Sequence, residues 1–265
     1  MLTEPEVQQT LQLFAEDITR KPSSTRKYYM SIARKFLTEY GDFSRHGIMA
    51  FMNNSGWCDN SLRTSYYVIE HLCMAIGLPF PLNKNDLPPP PDEYDLYTPT
   101  LTGSEVTQLI RYWREYPGSY PTSLLYLSTM YSVRAIEMTD VILNDKSVVI
   151  HVAKKKRPTY REHPVWGQGL IYLSGYERLS EKTVNQTFWK VCKKAGVKRQ
   201  EDEGWHAVRR AFATVAHDNG VDSVLVKRYT HWAVNRDDMM SVYYHKPFEE
   251  INREMEKVHP FLNLW

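Results

Sequence analysis

Four consecutive prolines, Pro88 to Pro91, most constrain what this chain can fold into. Each ring fixes φ and removes a backbone N–H, so the run admits neither helix nor ladder strand. It reads instead as an extended, semi-rigid connector. The surrounding segment from Asp86 to Asp95 adds four acids (Asp86, Asp92, Glu93, Asp95) and no base. The chain is therefore predicted to form two modules, residues 1–85 and 99–265, joined by a linker over 86–98. A chain of 265 residues supplies enough apolar surface for two modest cores.

The first module reads as four helices. Val7, Leu11, Phe14 and Ile18 recur at helical spacing over 5–20. A second helix is expected over 23–40, with Ser23 or Ser24 as N-cap, Tyr28, Ile32, Phe36 and Leu37 facing inward, and Gly41 as its stop. Two more follow, over 44–54 and 59–77. Ser61, Arg63, Thr64 and Ser65 near the start of the last could touch phosphates, but ordinary helix surface is the favoured reading.

Thr102-Gly103-Ser104-Glu105 opens the second module as a capping box. Helices are predicted from there through Trp113 and over 119–131, and Arg134 to Met138 enters another short one. The Val- and Ile-rich stretch Ser147 to Ala153 reads as a strand, Lys154 to Pro158 as a turn, and Tyr160 to Val165 as the return strand. Helical patterns resume over 180–195, 205–219, 222–230, 236–245 and 248–258. The expected fold class is mainly α, with one small antiparallel β-element.

Composition narrows the chemistry. No apolar run approaches the length of a membrane span, and the opening residues lack signal-peptide character. The cysteines Cys58, Cys73 and Cys192 fit neither a zinc spacing nor a disulfide framework, which favours a reducing, cytoplasmic setting. The net charge of +2 conceals an uneven distribution. Between Lys146 and Arg210 lie fifteen Lys/Arg against six Asp/Glu, a basic stretch suited to a polyanion such as nucleic acid.

The polar residues that could act together are Arg134, Lys154 or Lys156, His206, Arg209, His231, and Tyr243 or Tyr244. His206 and Arg209, three apart, share one face of a helix whose other face is small and apolar. Singly, each has a structural reading: Arg134 and Glu137 a surface ion pair, the histidines core residues, the tyrosines ordinary helix aromatics, the lysines a solvated turn. No Ser-His-Asp pattern, glycine-rich phosphate loop or carboxylate cluster suited to a metal competes with them. Together they suit phosphoryl transfer. Two guanidiniums can hold a phosphodiester's non-bridging oxygens, a cationic nest favours a phenolate nucleophile, and a lysine can protonate the departing oxygen.

The second module resembles the catalytic domain of the tyrosine recombinases (phage integrases) over about 99–246. Val133-Arg134-Ala135-Ile136-Glu137 resembles the motif of the first catalytic arginine and its supporting acid. Val148 to Lys154 resembles the strand ending in the catalytic lysine; counting back from Pro164 selects Lys156 instead. His206-Ala207-Val208-Arg209-Arg210-Ala211-Phe212-Ala213-Thr214 resembles the His-x-x-Arg box. His231 stands where the family's second histidine or tryptophan falls, with Trp232 as a rival. Tyr243-Tyr244-His245 resembles the nucleophile segment: Tyr243 has His245 two residues on, and Tyr244 is the alternative. Ser132-Val133 replaces the family's frequent Gly-Leu, and the interval from His231 to Tyr243 is a few residues long, as if 234–237 were an insertion.

The resemblance implies a core-binding, SAM-like first module and an enzyme that closes on double-stranded DNA as a clamp. It further implies cleavage with no cofactor, neither a divalent metal nor a nucleotide, through a 3′-phosphotyrosyl intermediate, religation within a homo-tetramer, and work in the cytoplasm, at the nucleoid or in a viral host's cytoplasm. The amphipathic tail 247–265 is left with two destinations, its own domain or a neighbouring protomer. A type IB topoisomerase and an inactive DNA-binding relative are the rival functions.

Overall fold

The computed structural model describes residues 2–87, 100–153, 158–200, 203–232 and 246–265. The chain divides into two compact units, Met1–Tyr97 and Thr98–Trp265. The proline run, the expected helix over 236–245 and the 234–237 insertion lie outside the described residues.

The first unit is built on α1 (Glu4–Asp17), α2 (Ser23–Glu39), α3 (Arg45–Asn54) and α4 (Asp59–Ala75). Their apolar faces close one core, in which Phe14, Phe36, Phe51 and Leu72 are fully buried. Ser44 caps α3 by accepting from the Gly47 N–H at 3.1 Å. Gly41, at φ +60, ends α2 in the left-handed turn that glycine adopts at little cost. Pro22, not Ser23 or Ser24, is the residue before α2: proline fits a helix entrance because no intrahelical partner awaits its missing N–H. Ser65 is buried rather than superficial, and its hydroxyl donates to the Ser61 carbonyl at 2.8 Å.

The second unit is arranged around α6 (Tyr120–Tyr131), buried at every position from Pro121 to Tyr131. A helix apolar all round must be enclosed. It is packed by α5 (Gly103–Trp113), α7 (Gly169–Leu173), α8 (Glu181–Lys194) and α9 (Trp205–Asp218). Thr102 and Glu105 form the capping box of α5, with Thr102 N–H to Glu105 Oε2 at 2.7 Å and Glu105 N–H to Thr102 Oγ1 at 3.2 Å. The indole N–H groups of Trp113 and Trp205 donate to the Val191 and Val184 carbonyls, tying α5 and α9 to α8. Then come α10 (Ser223–Thr230) and α11 (Phe248–Val258).

The sheet has three antiparallel strands, β1 (Val141–Leu143), β2 (Ser147–His151) and β3 (Tyr160–Pro164), in that order. The hairpin was expected; β1 and α7, three and five residues long, are too short to show a period. Register pairs Val148 with His163 and Ile150 with Arg161, so two polar side chains face inward from β3.

The C-terminal tail is folded on its own unit. Ile251, Met255 and Phe261 are buried in the second core. Trp265 donates its indole N–H to Thr129 Oγ1 at 3.0 Å, and the Tyr172 hydroxyl donates to the Trp265 carbonyl at 3.1 Å.

Candidate functional site

The site begins where α6 stops. Ser132 takes φ 51 and ψ 46, the left-handed conformation that glycine adopts at least cost. The reversal buries Val133 and turns Arg134 outward, its side chain 17% exposed. A tight turn follows, with the Glu137 and Met138 N–H groups donating to the Arg134 carbonyl.

This turn folds the Glu137 carboxylate beneath Arg134. It accepts from the Arg134 N–H at 2.9 Å, Arg134 Nη1 at 2.6 Å and, two residues beyond β2, the Ala153 N–H at 3.1 Å. Glu137 is 2% exposed. Burial alone would raise its pKa, but the nearby Arg161 charge, and then Arg134, hold it below the ordinary carboxylate value. The pair is therefore a buried, hydrogen-bonded ion pair and not the surface contact that its spacing alone allows.

Arg209 arrives from α9 and is 1% exposed. One Nη donates to the Ser132 carbonyl, and the other donates to the Thr230 carbonyl at 2.6 Å. Both acceptors sit at helix C-termini, where carbonyls lack intrahelical partners and carry partial negative charge. The sequence gives Arg209 a phosphate as partner; in the structure two main-chain carbonyls hold it. Its guanidinium lies 5.3 Å from the Trp232 ring centre. Burial, and after it the neighbouring charges of Arg134 and Arg161, push its pKa below the ordinary arginine value.

A third arginine, Arg161 on β3, was not among the sequence candidates. It is 2% exposed, donates through Nη1 to the Tyr229 carbonyl at 3.0 Å, and places Nη2 3.7 Å from Glu137 Oε2. One signal could have found it. In Tyr160-Arg161-Glu162-His163-Pro164, strand alternation puts Arg161 and His163 on one face, which the hairpin register sets beside the apolar Val148 and Ile150 of β2.

His206 stands one turn before Arg209 on α9 and is exposed. His231 follows α10 at φ 51, half-buried, with its ring centre 5.4 Å from that of Phe248. The structure thus gathers Arg134, Glu137 and Arg209, and Arg209 binds the residue immediately before His231. Lys154, Lys156, Tyr243 and Tyr244 lie outside the described residues. Three guanidiniums against one carboxylate leave this cluster positive, in surroundings where charge acts strongly. A cleft of about 730 Å³ opens beside it, lined by Arg161, His231, Lys146, Phe248, Asn252 and Arg253 among others. No three His, Cys, Asp or Glu side chains gather as for a metal ion among the described residues. No described helix is long and apolar enough to cross a membrane.

No protein-family model matches the chain, and no curated protein matches its sequence. Solved structures do match its fold. Lambda integrase bound to DNA is 15% identical, covers 95% of this chain and 98% of its own, and superposes with a TM-score of 0.62. A lambda integrase tetramer bound to a Holliday junction is 14% identical, with 91% and 77% covered and a TM-score of 0.59. XerH site-specific recombinase in a pre-cleavage complex with difH is 13% identical, with 83% and 77% covered and a TM-score of 0.57. With its central buried helix, its three-stranded sheet and these matches, the chain has the fold of the tyrosine recombinases and integrases.

Proposed function

We propose that this protein is a site-specific DNA recombinase that cuts and rejoins duplex DNA through a 3′-phosphotyrosyl intermediate, without a divalent metal. The observation that carries the reading is the convergence of Arg134 and Arg209. Elements far apart in sequence bring the two guanidiniums together over the buried Glu137, with His206 one turn away.

In this reading Arg134 and His206, the more accessible members, contact the phosphodiester. Arg209 lies beneath and lends its charge from a poorly solvated position, where it stabilises the growing negative charge of the transition state. Each of its Nη atoms carries a second hydrogen besides the one given to a carbonyl. Glu137 fixes the orientation of Arg134. Tyr243 attacks phosphorus through its phenolate, the bond to the 5′ oxygen breaks, and Lys154 gives that oxygen its proton. The phosphotyrosine conserves the bond energy, and a 5′ hydroxyl from a partner strand reverses the step. His231 hydrogen-bonds the phosphate. Exchange between two duplexes takes four protomers, the assembly that the lambda integrase structure shows on a Holliday junction.

The test uses a duplex selected by this chain from a random-sequence pool and nicked within the selected segment, so that the cleaved strand diffuses away. A covalent protein–DNA adduct on a denaturing gel, mapped to one tyrosine, is expected. Tight binding with no adduct would identify an inactive DNA-binding relative. Relaxation of supercoils by a monomer without site preference would identify a topoisomerase.

A further inference from the structure

We propose that Arg161 is a positioning residue of the cleavage site. It ties the Glu137 carboxylate to the end of α10 and so sets the spacing between Arg134 and His231. The inference rests on the recombinase reading and extends it to a residue that touches no substrate.

Burying a charged side chain is costly. A guanidinium at 2% exposure has lost nearly all of its hydration, and the interior must replace it. Here it does so incompletely. Nη1 donates to the Tyr229 carbonyl, but Nε and Nη2 have no hydrogen-bond partner among the described residues. Nη2 faces Glu137 at 3.7 Å, an ion-pair distance too long for a good hydrogen bond. A methionine or leucine would fill such a strand position at less cost, so stability is a poor reason for an arginine there.

Geometry supplies a better one. Glu137 holds both the backbone and the side chain of Arg134. Tyr229 lies two residues before His231, and its hydroxyl donates to the Met130 carbonyl at 2.5 Å, at the end of α6. Arg161 is therefore the side chain that connects the support of Arg134 directly to the helix end that presents His231. Arg209 makes the parallel connection one residue later, between Ser132 and Thr230. Two buried arginines thus clamp the same two segments, one of them through the carboxylate.

The charges around this contact determine its pH behaviour. Glu137 faces Arg134 from its own turn, Arg161 from β3 and Arg209 from α9. Arg161 faces Glu137, Arg134, Arg209 of α9, Tyr229 of α10 and His163 of its own strand. The Arg161 charge, together with the charge and hydrogen bonds of Arg134, keeps the buried carboxylate ionised. Without it, Glu137 takes up a proton at higher pH and releases Arg134.

The experiment measures single-turnover cleavage of the nicked selected duplex from about pH 5.5 to 9, by wild type and by Arg161→Met, Arg161→Lys, Glu137→Gln and Arg161→Met/Glu137→Gln. Arg161→Met is expected to lose about tenfold at pH 5.5 while binding the duplex within about threefold of wild type. Its acid limb, raised by about two pH units or more, enters the range, whereas Arg161→Lys, which keeps a cation, keeps the limb below it. In the Glu137→Gln background, Arg161→Met has no further effect on cleavage.

Wild-type cleavage by Arg161→Met across the range would overturn the role, as would an equal loss at every pH or additive effects with Glu137→Gln. If Arg161→Met does not fold, Arg161→Gln, which retains a donor for the Tyr229 carbonyl, carries the same comparison. Absence of any adduct with wild type would remove the recombinase reading and this role with it. An adduct with wild type and an unaffected Arg161→Met would remove only the role.

Discussion

The Arg209 guanidinium donates to the carbonyl of Thr230 at 2.6 Å, on the residue that precedes His231. Its other Nη donates to the Ser132 carbonyl, two residues before Arg134. One side chain therefore ties the C-terminal ends of α6 and α10 together beneath the candidate site. Removing it leaves two buried carbonyls without donors. Arg209→Ala is expected to lower unfolding free energy by about 3 kcal/mol. Cleavage should fall by about 10²-fold or more, as loss of transition-state charge stabilisation requires. Arg209→Lys should recover little of either, because an ammonium does not present a planar fork. Denaturant melts and single-turnover adduct formation measure the two losses; full activity in Arg209→Ala would take the arginine out of the mechanism.

Ser132→Gly should stabilise the protein by about 1 kcal/mol. The position already holds φ 51, which costs an L-residue about that much. The buried Ser132 hydroxyl has no hydrogen-bond partner among the described residues. The carbonyl that serves Arg209 belongs to the backbone and is retained. A midpoint shift in urea without a change of slope is the expected sign; destabilisation would show that the hydroxyl has a partner.

Tyr243→Phe should abolish the covalent adduct and leave DNA binding nearly unchanged, since only the nucleophilic oxygen is lost. Tyr244→Phe should keep adduct formation. The reverse pattern would transfer the nucleophile to Tyr244. The same gel assay decides it.

Acid should loosen the C-terminal tail. His259 donates through Nε2 to the Met130 carbonyl at 2.9 Å and accepts from the Phe261 N–H at Nδ1, an arrangement only the neutral ring can make. Burial pushes its pKa down to about 4. His163, buried and near Arg161, is likewise pushed down. For a histidine lowered in the folded state, the unfolded chain binds more protons between the two pKa values. Stability is therefore full above the unfolded value near 6.5 and is lost as pH falls toward 4, by about 3 kcal/mol for His259. Denaturation at about pH 7 and pH 4.5 measures the slope. His259→Gln should flatten it, and an unchanged slope would remove the assignment.

Chelation should not matter. Adduct formation in EDTA is expected to equal that in its absence, because the proposed charge stabilisation comes from arginines and the leaving-group proton from a lysine. Loss of cleavage on chelation, restored by a divalent cation, would point to a metal nuclease.

Much of the architecture was legible because short-range sterics write it into the sequence. The apolar periods of α1, α2, α8 and α9, the Thr102–Glu105 cap and the Gly41 stop are local features, and each appears at or near its expected residues. The helical pairing of His206 with Arg209 follows from spacing alone, whereas Arg134 meets Glu137 through a turn. Short elements such as β1 and α7 left no such trace.

What the sequence determined by itself was which residues share a face: a three-residue interval on a helix is the same in any fold. Tertiary structure decided what each buried polar group meets. Arg209 and Ser132 are 77 residues apart, and Arg161 and Tyr229 are 68 apart, so no local period reports either contact. The tail's destination was decided the same way. Its apolar face suits its own domain or another, and only the assembled core, with Met255 and Phe261 enclosed in it, selects one.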